Sequence, residues 1–107
     1  MRSLRILGEA AQEAIEAVAW YEAERPGLGG EFADAIDAAL DLIEQDILPL
    51  LPCAGEAGFE GAKRIILRRF PYDVVVVERQ NDTIVVAFAH HSRQPGYWRD
   101  RMHLKSP

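Results

Sequence analysis

The segment YDVVVVERQNDTIVVAFAHH, residues 72–91, decides the fold of this chain. Its two halves, YDVVVVER and TIVVAFAHH, consist mostly of β-branched and aromatic residues over the length of an ordinary strand. Asn81 and Asp82 between them accept the backbone angles of a tight turn, which predicts a β-hairpin. Residues 74–77 are four consecutive valines without polar alternation, which predicts a central strand covered on both faces.

Strand and turn patterns continue on both sides of this hairpin. Upstream, AKRIILRRF (residues 62–70) has the same strand composition, and the following Pro71 predicts a short turn into the next strand. Three strands with short links form an antiparallel meander. Residues 47–61 contain two prolines and three glycines, which predict an irregular connection. Downstream, QPGYWRDRM (residues 94–102) is predicted to begin a last short helix with proline near its first turn.

The N-terminal half predicts two helices, GEAAQEAIEAVAWYEAERPG from residue 8 and LGGEFADAIDAALDLIEQD from residue 28. Pro26 and Gly27 end the first helix, and the short link predicts an antiparallel helical hairpin. For the first helix, the spacing predicts an apolar face that comprises Ala11, Ala14, Ile15, Val18 and Tyr21 or Glu22, and an acidic face that comprises Glu9, Glu13, Glu16 and Glu24. For the second helix, the apolar stripe comprises Phe32, Ala35, Ile36, Ala39, Leu40 and Ile43, and the acidic stripe comprises Asp34, Asp37, Asp41 and Glu44.

These elements predict an α+β fold. An N-terminal short strand at residues 4–7 and the helical hairpin would pack on a twisted antiparallel sheet, whose C-terminal part is the three-stranded meander. The length predicts one domain over residues 1–107, with a core of about residues 4–102.

Composition and charge narrow the class of protein. Hydrophobic residues are 49% and charged residues 27%, a globular balance. No apolar run approaches a membrane span and residues 1–10 lack a secretion signal, so a cytoplasmic protein is expected. A single cysteine, Cys53, excludes an intrachain disulfide and a multi-cysteine metal site. Residues 1–60 carry 3 basic and 13 acidic residues (−10), whereas residues 61–107 carry 9 and 4 (+5). The basic half is compatible with a nucleic acid or an acidic partner, or with solubility alone.

The segment AHHSRQPGYW, residues 89–98, concentrates the groups that can carry chemistry. His90 and His91 are adjacent in a strand, so they point to opposite faces and cannot chelate one metal together. We expect His90 to pack under the helices and Trp98 to anchor the last segment. No metal and no cofactor are expected. Arg93 is a candidate cation, although it can equally pair with Asp73 or with a helix-end carbonyl.

Three segments together resemble the RelE/ParE superfamily of bacterial toxins: AVAWYEAERPGLGGEF, RRFPYDVVVVE and VAFAHHSRQPGYW. The resemblance covers roughly residues 4–102, and the order of the elements agrees with it. It implies the toxin of a type II toxin–antitoxin (plasmid stabilisation) system, made in the cytoplasm and neutralised by a cognate antitoxin protein. On this fold, RelE-like members cleave mRNA in the ribosomal A site, whereas ParE-like members inhibit DNA gyrase.

The matched positions separate these two activities only in part. The RelE-like branch has an arginine directly after the aromatic residue that opens the middle strand, where this chain has Asp73 after Tyr72. His91 stands where RelE-like toxins have an arginine, while Arg93 and Tyr97 match a later arginine and tyrosine. The resemblance therefore favours ParE-like members that act by binding.

Two alternatives stay open. The first is an mRNA endoribonuclease, ribosome-dependent or free, with His91, Arg93 and Tyr97 as catalytic residues. The second is a degenerate, non-toxic binding module. Candidate residues for binding a target or the antitoxin are those that place positive charge near the middle strands and an aromatic ring on the acidic side of the first helix: Arg64, Arg68, Arg69 and Trp20. No membrane partner is expected.

Overall fold

Seven elements make up the fold in the computed structural model, which describes residues 3–45, 50–52, 62–79 and 82–101. In chain order they are β1 (Ser3–Ile6), α1 (Gly8–Glu24), α2 (Leu28–Glu44), β2 (Leu51–Pro52), β3 (Ala62–Ile66), β4 (Tyr72–Arg79) and β5 (Asp82–His90). The predicted α+β arrangement of a helical hairpin with a C-terminal three-stranded meander is therefore confirmed.

The five strands form one sheet in the order β1-β5-β4-β3-β2. β3, β4 and β5 pair antiparallel, as the short links predict, whereas β1 lies parallel to β5 and makes the sheet mixed. A strand of four residues does not encode its own direction, so the sequence did not predict this parallel pairing. β2 was not expected either, because its two residues lie in a segment whose prolines and glycines predict irregular structure.

The valines of β4 lie at the centre of the core. Each residue from 74 to 77 is at most 3% exposed, and successive side chains of a strand point to opposite faces, so β4 is covered on both sides as predicted. The helices cover one face through Tyr21 and Phe32, whose rings contact each other and Tyr72. The C-terminal segment lies at the other face, where buried Trp98 and Val75 line the same cleft.

The turn between the helices is built around Glu22. Its carboxylate accepts hydrogen bonds from the backbone N–H groups of Gly27 (2.9 Å) and Gly29 (3.0 Å), which are among the free donors at the start of α2. Gly27 has φ of 90°, a left-handed conformation that glycine adopts without steric cost. The last turn of α1 therefore caps α2.

α1 is rotated relative to the sequence prediction. Its buried residues are Ala10, Ala17 and Tyr21, while Ile15 is 62% exposed and Glu13 turns inward. The placement of Ile15 on the buried face and of Glu13 on the solvated face was wrong. Alanine dominates this helix and gives neither side a clear apolar advantage, and the observed orientation buries the Tyr21 ring against Phe32 and Phe70 and turns Glu13 inward. In α2 the predicted faces are confirmed, since Phe32, Ile36, Ala39 and Ile43 are buried and Asp34, Asp37 and Asp41 are exposed.

The ends of the meander strands also differ from the prediction. β3 ends at Ile66, so Arg68 and Arg69 lie in the bend before β4 and not on a strand. After β5, Pro95 and Gly96 form a turn closed by the Tyr97 N–H and the Gln94 carbonyl (3.1 Å), with Gly96 at φ 81° as a type II turn requires. The expected last helix thus begins later than predicted: residues 94–98 form a turn, and helical backbone starts at Arg99 and continues to the end of the described residues at Arg101.

Three sequence expectations fall outside the described residues: most of the irregular connection at residues 47–61, the position of Asn81 in the hairpin turn, and the end of the last segment at residue 102. Within the part of the chain that the structure describes, no helix is long and apolar enough to cross a membrane.

Gly29→Ala tests the close approach of the two helices. A Cβ at Gly29 would stand 2.6 Å from the Val18 carbonyl oxygen and 3.0 Å from the Glu22 Cβ, so backbone must move. We expect the free energy of unfolding to fall by about 1–3 kcal/mol in chemical denaturation. Gly30→Ala is the matched control, since a Cβ there meets nothing within 4 Å. Equal stabilities of the two variants would contradict the packing described.

Candidate functional site

The register of the meander brings three polar side chains together where the strands end. Ile66 pairs with Asp73, so Arg64, two residues earlier on β3, projects on the same face as Asp73. Asp73 also pairs with Ala89, so His91, two residues further on, projects on that face too. The His91 N–H continues the pairing by donating to the Pro71 carbonyl at 2.8 Å.

These side chains line a concave site of about 370 Å³, which we call the strand-end cleft. Its floor is the apolar surface of Ile66, Val75 and Ala89. The turn after β5 forms the opposite wall through residues 93–98. Convergent polar groups around an apolar floor are typical of binding and catalytic sites.

Asp73 holds the centre of the strand-end cleft. One of its carboxylate oxygens lies 2.8 Å from Nε2 of His91, and the other accepts a hydrogen bond of 3.3 Å from the Arg64 guanidinium. The Asp73 side chain is 14% exposed, whereas His91 is 44% exposed. The charge of Asp73 is therefore compensated from both sides, and the second ring nitrogen of His91 does not contact Asp73. Arg93 does not make the contact with Asp73 that the sequence left open.

Arg93 and Tyr97 stack on each other at the rim of this cleft. The Arg93 guanidinium carbon lies 3.9 Å from the centre of the Tyr97 ring, within the range of a cation–π interaction. The Tyr97 hydroxyl points away towards α1 and donates a hydrogen bond of 2.5 Å to Glu13. In this arrangement the aromatic face of Tyr97, and not its hydroxyl proton, is presented near Arg93.

Glu13 is the centre of a network that the sequence did not reveal. Besides Tyr97, it accepts a bidentate pair of hydrogen bonds from Arg101 (2.8 and 2.9 Å) and one from the Phe88 N–H (3.1 Å). Arg101 also donates to the Val86 carbonyl at 3.0 Å. The sequence placed Glu13 on the acidic face of α1, and its spacing gave no sign of this role. Its partner Arg101 lies 88 residues further along the chain, beyond the reach of a periodicity argument.

The environment of this network shifts two pKa values. Burial, and then the hydrogen bond to Glu13, raise the pKa of Tyr97. The hydrogen bond to Glu13 raises the pKa of Arg101. Both groups are therefore held in their protonated forms at neutral pH, and Arg101 and Glu13 form an ion pair in which each side chain is only 16% exposed.

The basic half of the chain is largely paired with its own carboxylates. Lys63 contacts Glu78 at 2.7 Å, and Arg69 contacts Glu31 of α2 at 2.6 Å. The hydrogen bond from Arg69 lowers the pKa of Glu31. Arg64 and Arg101 are engaged as described above. Among the arginines expected to bind a target or antitoxin, Arg68 is exposed in the bend before β4. Part of the positive charge at residues 62–101 is thus engaged in ion pairs, while Arg68 is exposed.

A smaller recess of about 260 Å³ lies between α1 and the end of β5, and we call it the helix-side cleft. Trp20, Tyr72, His90 and Arg93 line it. Trp20 is 60% exposed. The His90 ring packs edge-on against Tyr72 at 5.0 Å and accepts a hydrogen bond from the Ser92 N–H at 2.9 Å. His90 and His91 thus lie on opposite sides of the sheet. Over the described ranges, no three histidine, cysteine or acidic side chains come close enough to hold a metal ion.

Glu13→Gln tests whether this network stabilises the fold. The variant keeps the shape but removes the charge that Arg101 faces and replaces acceptor oxygen with a donor. We expect the free energy of unfolding to fall by about 2–4 kcal/mol. Glu16→Gln is the matched control, because exposed Glu16 on the same helix contacts only Gln12. A Glu13→Gln variant as stable as Glu16→Gln would argue against the network.

Alkaline pH tests the burial of the tyrosines. The chain has three, and burial is the main cause that raises the pKa of Tyr21, Tyr72 and Tyr97 above 10.0. Since the folded state holds these protons more tightly than the unfolded chain, this contribution to stability is complete below pH 10.0 and declines as pH rises beyond it. We expect phenolate absorbance to appear only together with loss of near-UV circular dichroism. Phenolate formation with an ordinary midpoint in a folded protein is the opposing result.

Comparison with known proteins supports the fold. No protein-family model matches the sequence, and no curated protein matches it either. Among solved structures, a chain described as the chromosomal ParDE TA (toxin–antitoxin) system from P. aeruginosa is similar, with a TM-score of 0.71 and 15% sequence identity. The similarity covers 84% of this chain and 96% of that chain. At this identity the likeness establishes the fold alone. The helical hairpin and the mixed sheet of this chain are therefore similar in fold to that chain.

Proposed function

We propose that this chain is the toxin of a type II toxin–antitoxin system, neutralised by a cognate antitoxin and acting by binding a cytoplasmic target such as DNA gyrase. The observation that carries the proposal is the similarity over 96% of a chain from a ParDE TA system. The motifs AVAWYEAERPGLGGEF and VAFAHHSRQPGYW support it independently, because they lie on the helical hairpin and at the strand-end cleft.

The geometry of the cleft favours binding over hydrolysis. Cleavage of RNA needs uncompensated cations near the developing phosphorane charge and a proton donor for the leaving oxygen. In this chain Arg64 is paired with Asp73, and the Tyr97 hydroxyl donates to Glu13. A stacked Arg93–Tyr97 pair above an apolar floor instead offers a surface for a protein partner, since arginine and tyrosine are enriched at the centres of interfaces.

Expression without the antitoxin tests the proposal. We expect growth arrest, loss of DNA supercoiling activity in cell extracts and intact transcripts. Co-expression with the product of a small reading frame next to the gene should restore growth. Cleaved transcripts with normal supercoiling activity would overturn the binding mechanism. Harmless expression of the folded protein would favour the non-toxic binding module instead.

The Asp73–His91 pair supports a second candidate function, an mRNA endoribonuclease. A carboxylate 2.8 Å from one ring nitrogen orients an imidazole, so the other nitrogen can accept a proton. His91 would take the proton of a ribose 2′-hydroxyl as its oxygen attacks the adjacent phosphorus. The bond from phosphorus to the 5′-oxygen breaks, and that oxygen takes a proton from water. Arg93 would stabilise the charge on the phosphorane.

Neighbouring histidines provide a matched test of this second function. If the chain cleaves RNA, His91→Ala should reduce cleavage of a transcript by about 100-fold or more, the usual contribution of a general base. His90→Ala is the control, because the His90 ring packs against Tyr72, whereas it is His91 that pairs with Asp73. Unchanged cleavage by His91→Ala would exclude His91 as the base. Absence of any cleavage by the wild type, with and without ribosomes, would exclude the function itself.

A further inference from the structure

α1 presents an apolar stripe to solvent. Ile15, Ala19 and Ala23 follow at intervals of four residues, so they lie along one side of the helix, and all three are exposed. Trp20 stands beside this stripe and is 60% exposed, and Ile15 is 62% exposed. The opposite side of α1 packs on the core through Ala17 and Tyr21. α1 is therefore apolar on both sides, whereas the outer side of α2 is acidic.

The surroundings of this stripe are strongly acidic. By sequence, residues 8–45 contain ten carboxylates and one basic residue, Arg25, which contacts Glu31. Glu13, Glu22 and Glu31 are engaged in contacts within the fold. The carboxylates exposed on the two helices are Glu16, Glu22, Glu24, Asp34, Asp37 and Asp41. An apolar stripe between exposed carboxylates is complementary to a segment with apolar residues flanked by lysine or arginine.

We propose that the outer side of α1, defined by Ile15, Ala19, Trp20 and Ala23, is the docking surface for an amphipathic helical segment of another protein, apolar along one side and basic at its margins. Alanines at two of the four positions let a second helix approach closely, and Trp20 supplies the aromatic anchor that interfaces favour. The helix-side cleft beside Trp20 offers a recess for one side chain of the partner.

Charge argues against a second copy of the chain as the occupant. Two hairpins that met through α1 would bring exposed carboxylates against carboxylates, a repulsive arrangement. The other half of a second copy is a poor donor of positive charge, because Lys63, Arg64, Arg69 and Arg101 are already paired within their own chain. A separate basic segment avoids the repulsion between carboxylates, and its positive charge is not already paired.

The inference deepens the proposed function, since it names the surface and the chemistry by which an antitoxin would be held, but it can fail while that function stands. The fluorescence of Trp20 measures binding at this docking surface directly. The chain has two tryptophans, and Trp98 is only 3% exposed, so solvent-sensitive fluorescence and quenching by acrylamide come mainly from Trp20.

The experiment uses two synthetic helical peptides of equal length with the same leucine stripe, flanked by lysines in one and by glutamates in the other. We expect the lysine peptide alone to shift the Trp20 emission to shorter wavelength and to protect it from acrylamide. The binding should weaken as salt is raised. No binding of the lysine peptide, or binding that leaves Trp20 open to acrylamide, would overturn the inference.

A matched pair of surface variants locates the binding. Ile15→Ser should weaken binding of the lysine peptide about tenfold, as expected when an interface residue loses its apolar side chain. Ile6→Ser is the control, because Ile6 is 43% exposed on β1 and lines neither cleft. Equal affinity of Ile15→Ser and wild type would overturn the inference.

The protein encoded next to the gene separates the two proposals. If it neutralises toxicity and protects Trp20, both stand. If it neutralises toxicity without protecting Trp20, the docking surface is refuted while the toxin function remains. If the chain is harmless but the lysine peptide binds at Trp20, the docking surface stands and the toxin function is refuted.

Discussion

The hydrogen bonds of Glu13 are the contact on which the rest of the structure depends. β1 ends at Ile6, level with Val85, so among the described residues the outer edge of β5 has no strand partner beyond this point. Backbone groups at such an edge need other partners when they are buried. Glu13 accepts from the Phe88 N–H, and Arg101 donates to the Val86 carbonyl. A helix residue and a C-terminal residue thus replace the missing strand, and their ion pair fastens the C-terminal segment to α1.

The contacts of the C-terminal segment with α1 determine the position of residues that line both clefts. The type II turn at Pro95–Gly96 sends the chain back across the sheet, and the Tyr97–Glu13 hydrogen bond fixes where it lands. One side of the returning segment then forms the wall of the strand-end cleft, and the other side reaches the helix-side cleft. Arg93 and Tyr97 line both. Tyr97 therefore contributes its aromatic face to the site and its hydroxyl to the fold, which is why the structure favours binding over proton transfer at this residue.

Most of the fold followed from local patterns. The valine run of β4, the glycine and proline turns and the acidic stripe of α2 each encode their own structure, because periodicity and backbone preference act within a few residues. The buried face of α1 was not predicted correctly, because alanine on every side leaves its orientation to contacts with distant residues, those of Tyr21 and Glu13. The direction of β1 and the pairing of Glu13 with Arg101 depend on contacts between distant segments. For the site, adjacent positions predicted that His90 and His91 face opposite ways, but only the register of three strands shows that Asp73 lies between Arg64 and His91.

Amide hydrogen exchange at Phe88 in the folded protein tests this account most directly. If Glu13 accepts a hydrogen bond from the Phe88 N–H, that amide exchanges as slowly as the amides of the paired core residues of β5, although no strand lies on its outer side. If the Phe88 amide exchanges quickly while the rest of β5 stays protected, Glu13 does not complete the edge of the sheet. The C-terminal segment would then lack the anchor on which both clefts depend.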